Sequence, residues 1–228
     1  MPGKIGVIIP AAGAGSRLGG VSKPLIEIGG QTLIGRLLEM FAGLNQVKRI
    51  CVAVPQSNVI PFRKIVGSLQ LQKLVEIVEG GTRRAFSVKN CFDFISGELK
   101  GEDLVCIHDA ARPLLSKSDL ERVIDAGWKD NVAFLAAKVK DTLKVVDEEN
   151  QCVSTIDRSK VFAAQTPQVI KAELLARAYK TTKDISGLTD EIMLMEKIGI
   201  KARVIEPNHL NLKLTTLEDL ELIRKLIS

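Results

Sequence analysis

Aromatic residues are scarce, at 4% of 228 positions, with a single tryptophan and a single tyrosine. Base-stacking platforms therefore have little material, and no dense block of lysine and arginine offers a backbone-binding patch instead. Cys51, Cys91, Cys106 and Cys152 are widely spaced, and no Cys-x-x-Cys pair suggests zinc or redox chemistry. They read as buried free thiols of a reducing compartment. No apolar run approaches the roughly 20 residues that span a bilayer. Met1–Ile5 leads straight into a strand-like segment without the apolar stretch of a secretory signal. A cytoplasmic location is expected, or a plastid-like stroma if the chain belongs to a longer precursor. Neither a nucleic acid nor a membrane is expected as a partner.

What is present is an ordinary globular balance, 46% hydrophobic and 26% charged, with a net charge of +5. The excess charge suits a small phosphorylated substrate, or simply a lysine-rich surface. Ile5–Pro10, Arg49–Pro55, Leu74–Val78 and Leu104–His108 are short, β-branched-rich and almost continuously apolar. Such runs suit strands buried on both faces of a parallel sheet. Amphipathic segments of helical length alternate with them: Thr32–Leu44, Phe62–Leu69, Arg84–Ile95 and Ser116–Trp128, the last with Ser116 as N-cap. A strand at Ala133–Val139 follows. The alternation predicts a three-layer α/β sandwich with right-handed crossovers, and no repeat or linker splits residues 1–228 into more than one domain. Lys138–Thr155 alternates apolar and polar residues around Asp147–Asn150 and reads as an inserted β-hairpin. Helices near Lys171–Thr181 and Thr189–Ile198, strands at Ala202–Ile205 and Leu210–Leu214, and a helix over Leu217–Leu226 complete the reading.

The strongest chemical signal follows the first strand. Ala11, Ala12, Gly13, Ala14 and Gly15 are small enough to let the backbone approach a phosphate, and their N–H groups can form an anion nest. A dinucleotide fingerprint fails because Leu18 stands three after Gly15, and a Walker A loop fails because Val21 stands where Lys is required. What remains is a glycine-rich loop carrying Arg17 and Lys23. That pairing suits a triphosphate attacked at its α-phosphorus; a tight turn with two solvated cations is the plainer alternative.

The loop resembles the signature of nucleotidyltransferases that join a nucleoside triphosphate to a phosphorylated sugar or polyol. Further segments narrow the match: Gly80–Val88, His108-Asp109-Ala110-Ala111-Arg112-Pro113, Asp157-Arg158 with Gln165-Thr166-Pro167-Gln168, Leu188–Glu191, and Asn211–Thr215 followed by Glu218-Asp219-Leu220. In order and over nearly the whole chain, these resemble the 2-C-methyl-D-erythritol 4-phosphate cytidylyltransferase family of the non-mevalonate isoprenoid pathway. Ribitol-5-phosphate cytidylyltransferase is the nearest alternative, sharing much of the signature. The first loop departs from the family's usual Pro-Lys-Gln, reading Ser22-Lys23-Pro24-Leu25.

The resemblance implies a Rossmann-like, mostly parallel nucleotidyltransferase sheet with residues 138–158 as a protruding dimerisation arm. It also implies CTP and a polyol phosphate as substrates, with Mg²⁺ bound mainly through the CTP phosphates and no protein metal ligand assigned. It casts Arg17, Lys23 and Lys213 as the catalytic cations. Ala11–Gly15, Gly81, Arg84 and Ser87 hold the nucleotide. Asp109, Arg112, Thr166 and Thr189 hold the acceptor, with Thr142 and Arg158 contributed to the partner subunit's site. Each has a plainer reading: Arg112 in a structural ion pair, Thr142 as a strand residue, Thr189 as a helix cap, Lys213 as a solvated lysine. His108 reads as locally packed, and no histidine-based dyad stands out.

Overall fold

The computed structural model describes residues 3–13 and 22–227. Its strands and helices are β1 (Ile5–Pro10), β2 (Glu27–Ile28), β3 (Gln31–Thr32), α1 (Leu33–Ala42), β4 (Val47–Val54), α2 (Val59–Ser68), β5 (Val75–Glu79), α3 (Arg84–Ile95), β6 (Leu104–Ile107), α4 (Lys117–Asp130), β7 (Val132–Lys138), β8 (Lys144–Val146), β9 (Cys152–Thr155), β10 (Phe162–Lys171), α5 (Ala172–Thr181), α6 (Glu191–Lys197), β11 (Arg203–Ile205) and α7 (Leu217–Ile227). Seven strands form one sheet in the order β11-β7-β10-β6-β1-β4-β5. All neighbouring pairs are parallel except those made by β10, which runs antiparallel to both β6 and β7.

The continuously apolar runs become central strands because both faces of the sheet are covered. Val7 and Ile9 point into a core shared with α1, α2 and α4, and Ile8 points into one shared with α3, α5 and α6. Opposite alternation from one strand thus fills two layers. A smaller cluster joins Ile28 and Leu33 to Leu214, Leu220 and Ile223, fastening α7 and the segment before it beside the mouth of β1. Ser116 caps α4 as expected, its hydroxyl accepting from Asp119 N–H at 3.1 Å.

Three differences from the sequence reading have physical causes. The ten-residue strand β10 is not foreshadowed, because Gln165, Thr166, Pro167 and Gln168 interrupt its apolar pattern. The ladder with β7 shifts register between Ala164 and Gln168, which accommodates the proline, and the Thr166–Pro167 peptide is cis. Leu210–Leu214 forms no strand with the described residues; Leu214 N–H donates to Ala111 C=O at 2.7 Å. Asp190 rather than Thr189 caps α6, accepting from Met193 N–H at 2.9 Å. The expected hairpin is present. Among the described residues β8 and β9 pair only with each other, joined through a turn in which Asp147 accepts from Glu149 and Gln151 N–H, and every residue of both strands is exposed.

Candidate active site

The chain runs outward from β1 to β4 and β5, then returns to β6 on the other side of β1. That places a topological switch between β1 and β6, where the loops at the carboxyl ends diverge and leave a crevice. A cleft of about 600 Å³ opens there. Its described lining includes Pro10–Gly13 after β1, Lys23-Pro24, Gly81–Arg84 after β5, Ser87 of α3, Asp109–Ala111 after β6, and Lys213–Thr215.

Small residues hold the cleft open where the loops cross. A methyl group on Gly80 would collide with the Ala12 side chain and sit 3.1 Å from Ser87 Oγ. Ser87 is buried, and its hydroxyl accepts from Gly81 N–H at 3.1 Å, closing the turn that enters α3. The departure at Ser22-Lys23-Pro24-Leu25 is absorbed locally. Lys23–Leu25 forms one 3₁₀ turn, where an early proline needs no N–H partner, and Lys23 still lines the cleft.

A line of alternating charge crosses the floor. Lys213 Nζ meets Asp109 Oδ2 at 2.9 Å, Arg84 Nε meets Asp109 Oδ1 at 2.9 Å, and Arg84 Nη1 reaches both oxygens of Glu191 at 2.8 and 3.0 Å. Burial opposes ionisation of Asp109, but the Arg84 and Lys213 charges prevail and hold its carboxyl well below the usual range. Glu191 is wholly buried, and that burial pushes its carboxyl upward against the pull of Arg84. Arg84 is held protonated more firmly than a free guanidinium, its own burial outweighed by Glu191 and Asp109.

Behind this floor a second network fixes Asp109. Thr166 Oγ1 accepts from Asp109 N–H and lies 3.0 Å from His108 Nδ1, while His108 Nε2 faces Arg112 C=O at 3.0 Å. Burial lowers the His108 pKa to about 4, so the ring is neutral at physiological pH with both nitrogens engaged. It is not placed to act as a base, in keeping with its locally packed reading.

The structure gathers Ala11, Ala12, Gly13, Lys23, Gly81, Arg84, Ser87, Asp109 and Lys213 at one cleft. Ala14, Gly15 and Arg17 lie outside the described residues. Arg112 and Thr166 are buried behind the lining rather than in it. Among the described residues Arg112 makes no ion pair at hydrogen-bond distance; its guanidinium donates to Asn211 C=O at 2.8 Å. Thr189 is exposed at the start of α6 and is not part of the lining. Thr142 and Arg158 sit on the exposed arm, where the Arg158 guanidinium donates to Lys140 C=O. Lys213 belongs to the unpaired tail rather than a strand.

Glu191 is the participant for which no role was foreseen. Its signal was a carboxylate among Ile192, Leu194 and Met195 on the buried face of an amphipathic helix. Among the described residues no group of three or more His, Cys, Asp or Glu is placed to hold a metal. Asp109 is the sole acidic residue among those lining the cleft, with both oxygens engaged by cations. The described lining therefore does not fit a resident protein-held metal.

Lys23, Arg83, Arg84 and Lys213 face a crevice with small-residue loops at the end of a parallel sheet, and among the described lining residues no activated nucleophile or base accompanies them. That combination defines a nucleotidyltransferase, in which the substrates bring the nucleophile and the protein brings charge and alignment. A family model described as IspD: 2-C-methyl-D-erythritol 4-phosphate cytidylyltransferase matches residues 5–227. The chain belongs to this family of CTP-dependent cytidylyltransferases. It is 38% identical to the 2-C-methyl-D-erythritol 4-phosphate cytidylyltransferase of Endomicrobium trichonymphae, covering 98% of this chain and 99% of that one. The enzyme of the same name from Bacillus mycoides (strain KBAB4) is 36% identical, with 94% and 93% covered. Among solved structures, a 4-diphosphocytidyl-2C-methyl-D-erythritol synthase superposes with a TM-score of 0.83 at 31% identity, covering both chains fully. The Francisella tularensis 2-C-methyl-D-erythritol 4-phosphate cytidylyltransferase gives 0.81 at 29% identity, covering 97% and 99%.

Proposed function

We propose that the cleft transfers the cytidylyl group of CTP to 2-C-methyl-D-erythritol 4-phosphate, releasing pyrophosphate, with the roles that follow. The acceptor phosphate is largely dianionic near neutrality, its second pKa being about 6. One of its oxygens attacks the α-phosphorus of CTP, forming a new P–O bond as the P–O bond to pyrophosphate breaks and its electron pair leaves with that group. No proton has to be removed from the nucleophile, which fits a cleft without a base. Lys23 and Arg17 supply positive charge at the α-phosphorus, and Lys213 meets the acceptor phosphate. Magnesium carried on the triphosphate adds positive charge when bound. Asp109, held by Arg84, Lys213 and Thr166, accepts from an acceptor hydroxyl; its ionised oxygens retain lone pairs beyond those two cations. Gly81 and Ser87 shape a small pocket for the pyrimidine.

Residues 138–158 act as a dimerisation arm of a single-domain chain spanning 1–228. The observation behind this is exposure: Val145, Val146, Val153 and Ile156 of the arm are 41%, 50%, 64% and 40% exposed. A pair of arms across a two-fold axis would cover them and close the free edges of β8 and β9. Thr142 and Arg158 would then serve the neighbouring subunit's acceptor site.

The observation that carries the reading is a cation-lined cleft with no base among its described residues. Pyrophosphate release tests it, measured with CTP, UTP, ATP and GTP against 2-C-methyl-D-erythritol 4-phosphate and ribitol 5-phosphate. Release with CTP and the methylerythritol phosphate is expected, with UTP the nearest competitor. Turnover with ribitol 5-phosphate alone overturns the acceptor, and comparable turnover with ATP overturns the base pocket.

A further inference from the structure

Lys23 has a long flexible stem, and its usefulness depends on where its ammonium is held. Nζ donates to Leu214 C=O at 3.1 Å and to Thr215 C=O at 3.4 Å, across 191 and 192 residues of chain. The direction of those two carbonyls is set from the opposite side. Asp219 Oδ2 accepts from Thr215 N–H at 2.7 Å and from Thr216 N–H at 2.9 Å, while Asp219 N–H donates to Thr216 Oγ1 at 3.4 Å. The exchange between Thr216 and Asp219 is a capping box at the start of α7.

Peptide planarity turns that cap into an aiming device. In a trans peptide the C=O of one residue and the N–H of the next lie in one plane and point in opposite directions. Leu214 C=O shares its plane with Thr215 N–H, and Thr215 C=O shares its plane with Thr216 N–H. Drawing both N–H groups onto one carboxylate oxygen therefore drives both carbonyls the other way, onto Lys23. The segment cannot swivel as a whole, because Leu214 is fully buried and its N–H is tied to Ala111 C=O at 2.7 Å. Asp219 itself is not among the residues lining the cleft.

We propose that Asp219 is a positioning residue for nucleotidyl transfer, aiming the Leu214 and Thr215 carbonyls so that the Lys23 ammonium is fixed where charge develops on the α-phosphorus. This rests on the catalytic role given to Lys23 above. Single-turnover rates at saturating CTP, measured for wild type, Asp219→Ala, Lys23→Ala and the double variant, separate the two ideas. Asp219→Ala should slow the chemical step about 10–100-fold, the scale of a sub-ångström to ångström misplacement, with CTP affinity within about threefold. In the Lys23→Ala background the same substitution should change the rate less than about twofold, because the group it aims is gone. Asp219→Asn keeps an acceptor for both N–H groups and should recover most of the rate, with far-UV circular dichroism confirming that all five proteins are folded. Equal fold-losses from Asp219→Ala in both backgrounds, or an Asp219→Asn protein as slow as the alanine variant, overturns the positioning role. A Lys23-dependent rate that ignores Asp219 does the same. A Lys23→Ala protein that keeps the wild-type rate overturns the reading of Lys23 itself.

Discussion

Replacing Arg84 with methionine should cost about 3–5 kcal/mol of stability, the usual penalty for removing one partner of a buried ion pair. Domain stabilities are about 5–15 kcal/mol, so this is a large share. Among the described residues, the side-chain donors to the Glu191 carboxylate all come from Arg84, and Glu191 is only 1% exposed. Methionine fills much of the space and leaves that carboxylate without a counter-charge. The loss should depend on pH, with a definite sign. Burial already pushes the Glu191 pKa up, and Arg84 is the group that opposes it. Without Arg84 the folded-state pKa climbs further above the unfolded value of about 4.3. An acid whose folded pKa is raised destabilises the fold increasingly as pH rises from the unfolded pKa through the folded one. The deficit of Arg84→Met should therefore be greatest near pH 8 and shrink toward pH 5. Asp109 contributes in the opposite sense: its folded pKa is depressed, so its stabilisation is lost as pH falls below its unfolded value of about 3.9, outside this window. Urea titrations followed by circular dichroism at the two pH values measure the difference. The Arg84→Met/Glu191→Leu double variant removes both charges and should regain most of the stability. A deficit that is equal at both pH values, or a double variant no more stable than the single one, would refute the account.

Lys23→Ala should reduce the single-turnover rate by about 10²–10³-fold or more, with a smaller effect on CTP affinity, since its charge is matched to the transition state; quench-flow kinetics checks this. Gly80→Ala should force Ala12 out of place, raising KM for CTP and lowering stability by about 1–3 kcal/mol, as read by steady-state kinetics and thermal unfolding. For the composite-site proposal, mixing Arg158→Ala subunits with Lys23→Ala subunits should restore part of the activity, because one site of the heterodimer then carries neither lesion. No recovery despite heterodimers seen by native mass spectrometry would mean that each subunit acts alone.

Much of the central sheet could be read from residues alone, because burial on both faces leaves an unambiguous apolar signature, whereas Lys213, Arg84 and Asp109 of the cleft floor were named through the resemblance. β1 and α3 occupy the segments Ile5–Pro10 and Arg84–Ile95 that periodicity marked. The elements that escaped are those where tertiary contacts overrule local pattern. β10 is a strand despite Pro167, because β6 and β7 flank it and a register shift accommodates the ring. Leu210–Leu214 has the alternation of a strand, yet Leu214 is used as a plug beside Leu33 and Leu220, not as a ladder residue. Thr166 and Arg112 carry the chemistry of substrate ligands, and only the three-dimensional structure shows that they are buried behind the described lining, bonded to Asp109 N–H and Asn211 C=O. Glu191 was hidden because a carboxylate in the first turn of a helix is ordinarily a solvated one.

The tail that plugs the cleft also imposes an order in time. The contacts that fix Lys213, Leu214 and Lys23 join residues 104 and 191 positions apart, among the most distant pairings in the chain. The strands that build the walls, from β1 to β10, all precede residue 172. During synthesis those walls emerge first, while Lys213 and the carbonyls that hold Lys23 are still to come. Long-range closures of this kind are entropically the last to be rewarded during folding. A nascent chain can therefore have the strands of the walls in place while Lys213 and the carbonyls that hold Lys23 are still absent. Lys213, Leu214 and Asp219 come after all of those strands, and a proteolytic cut between residues 206 and 211 would separate the walls from the segment that holds Lys23.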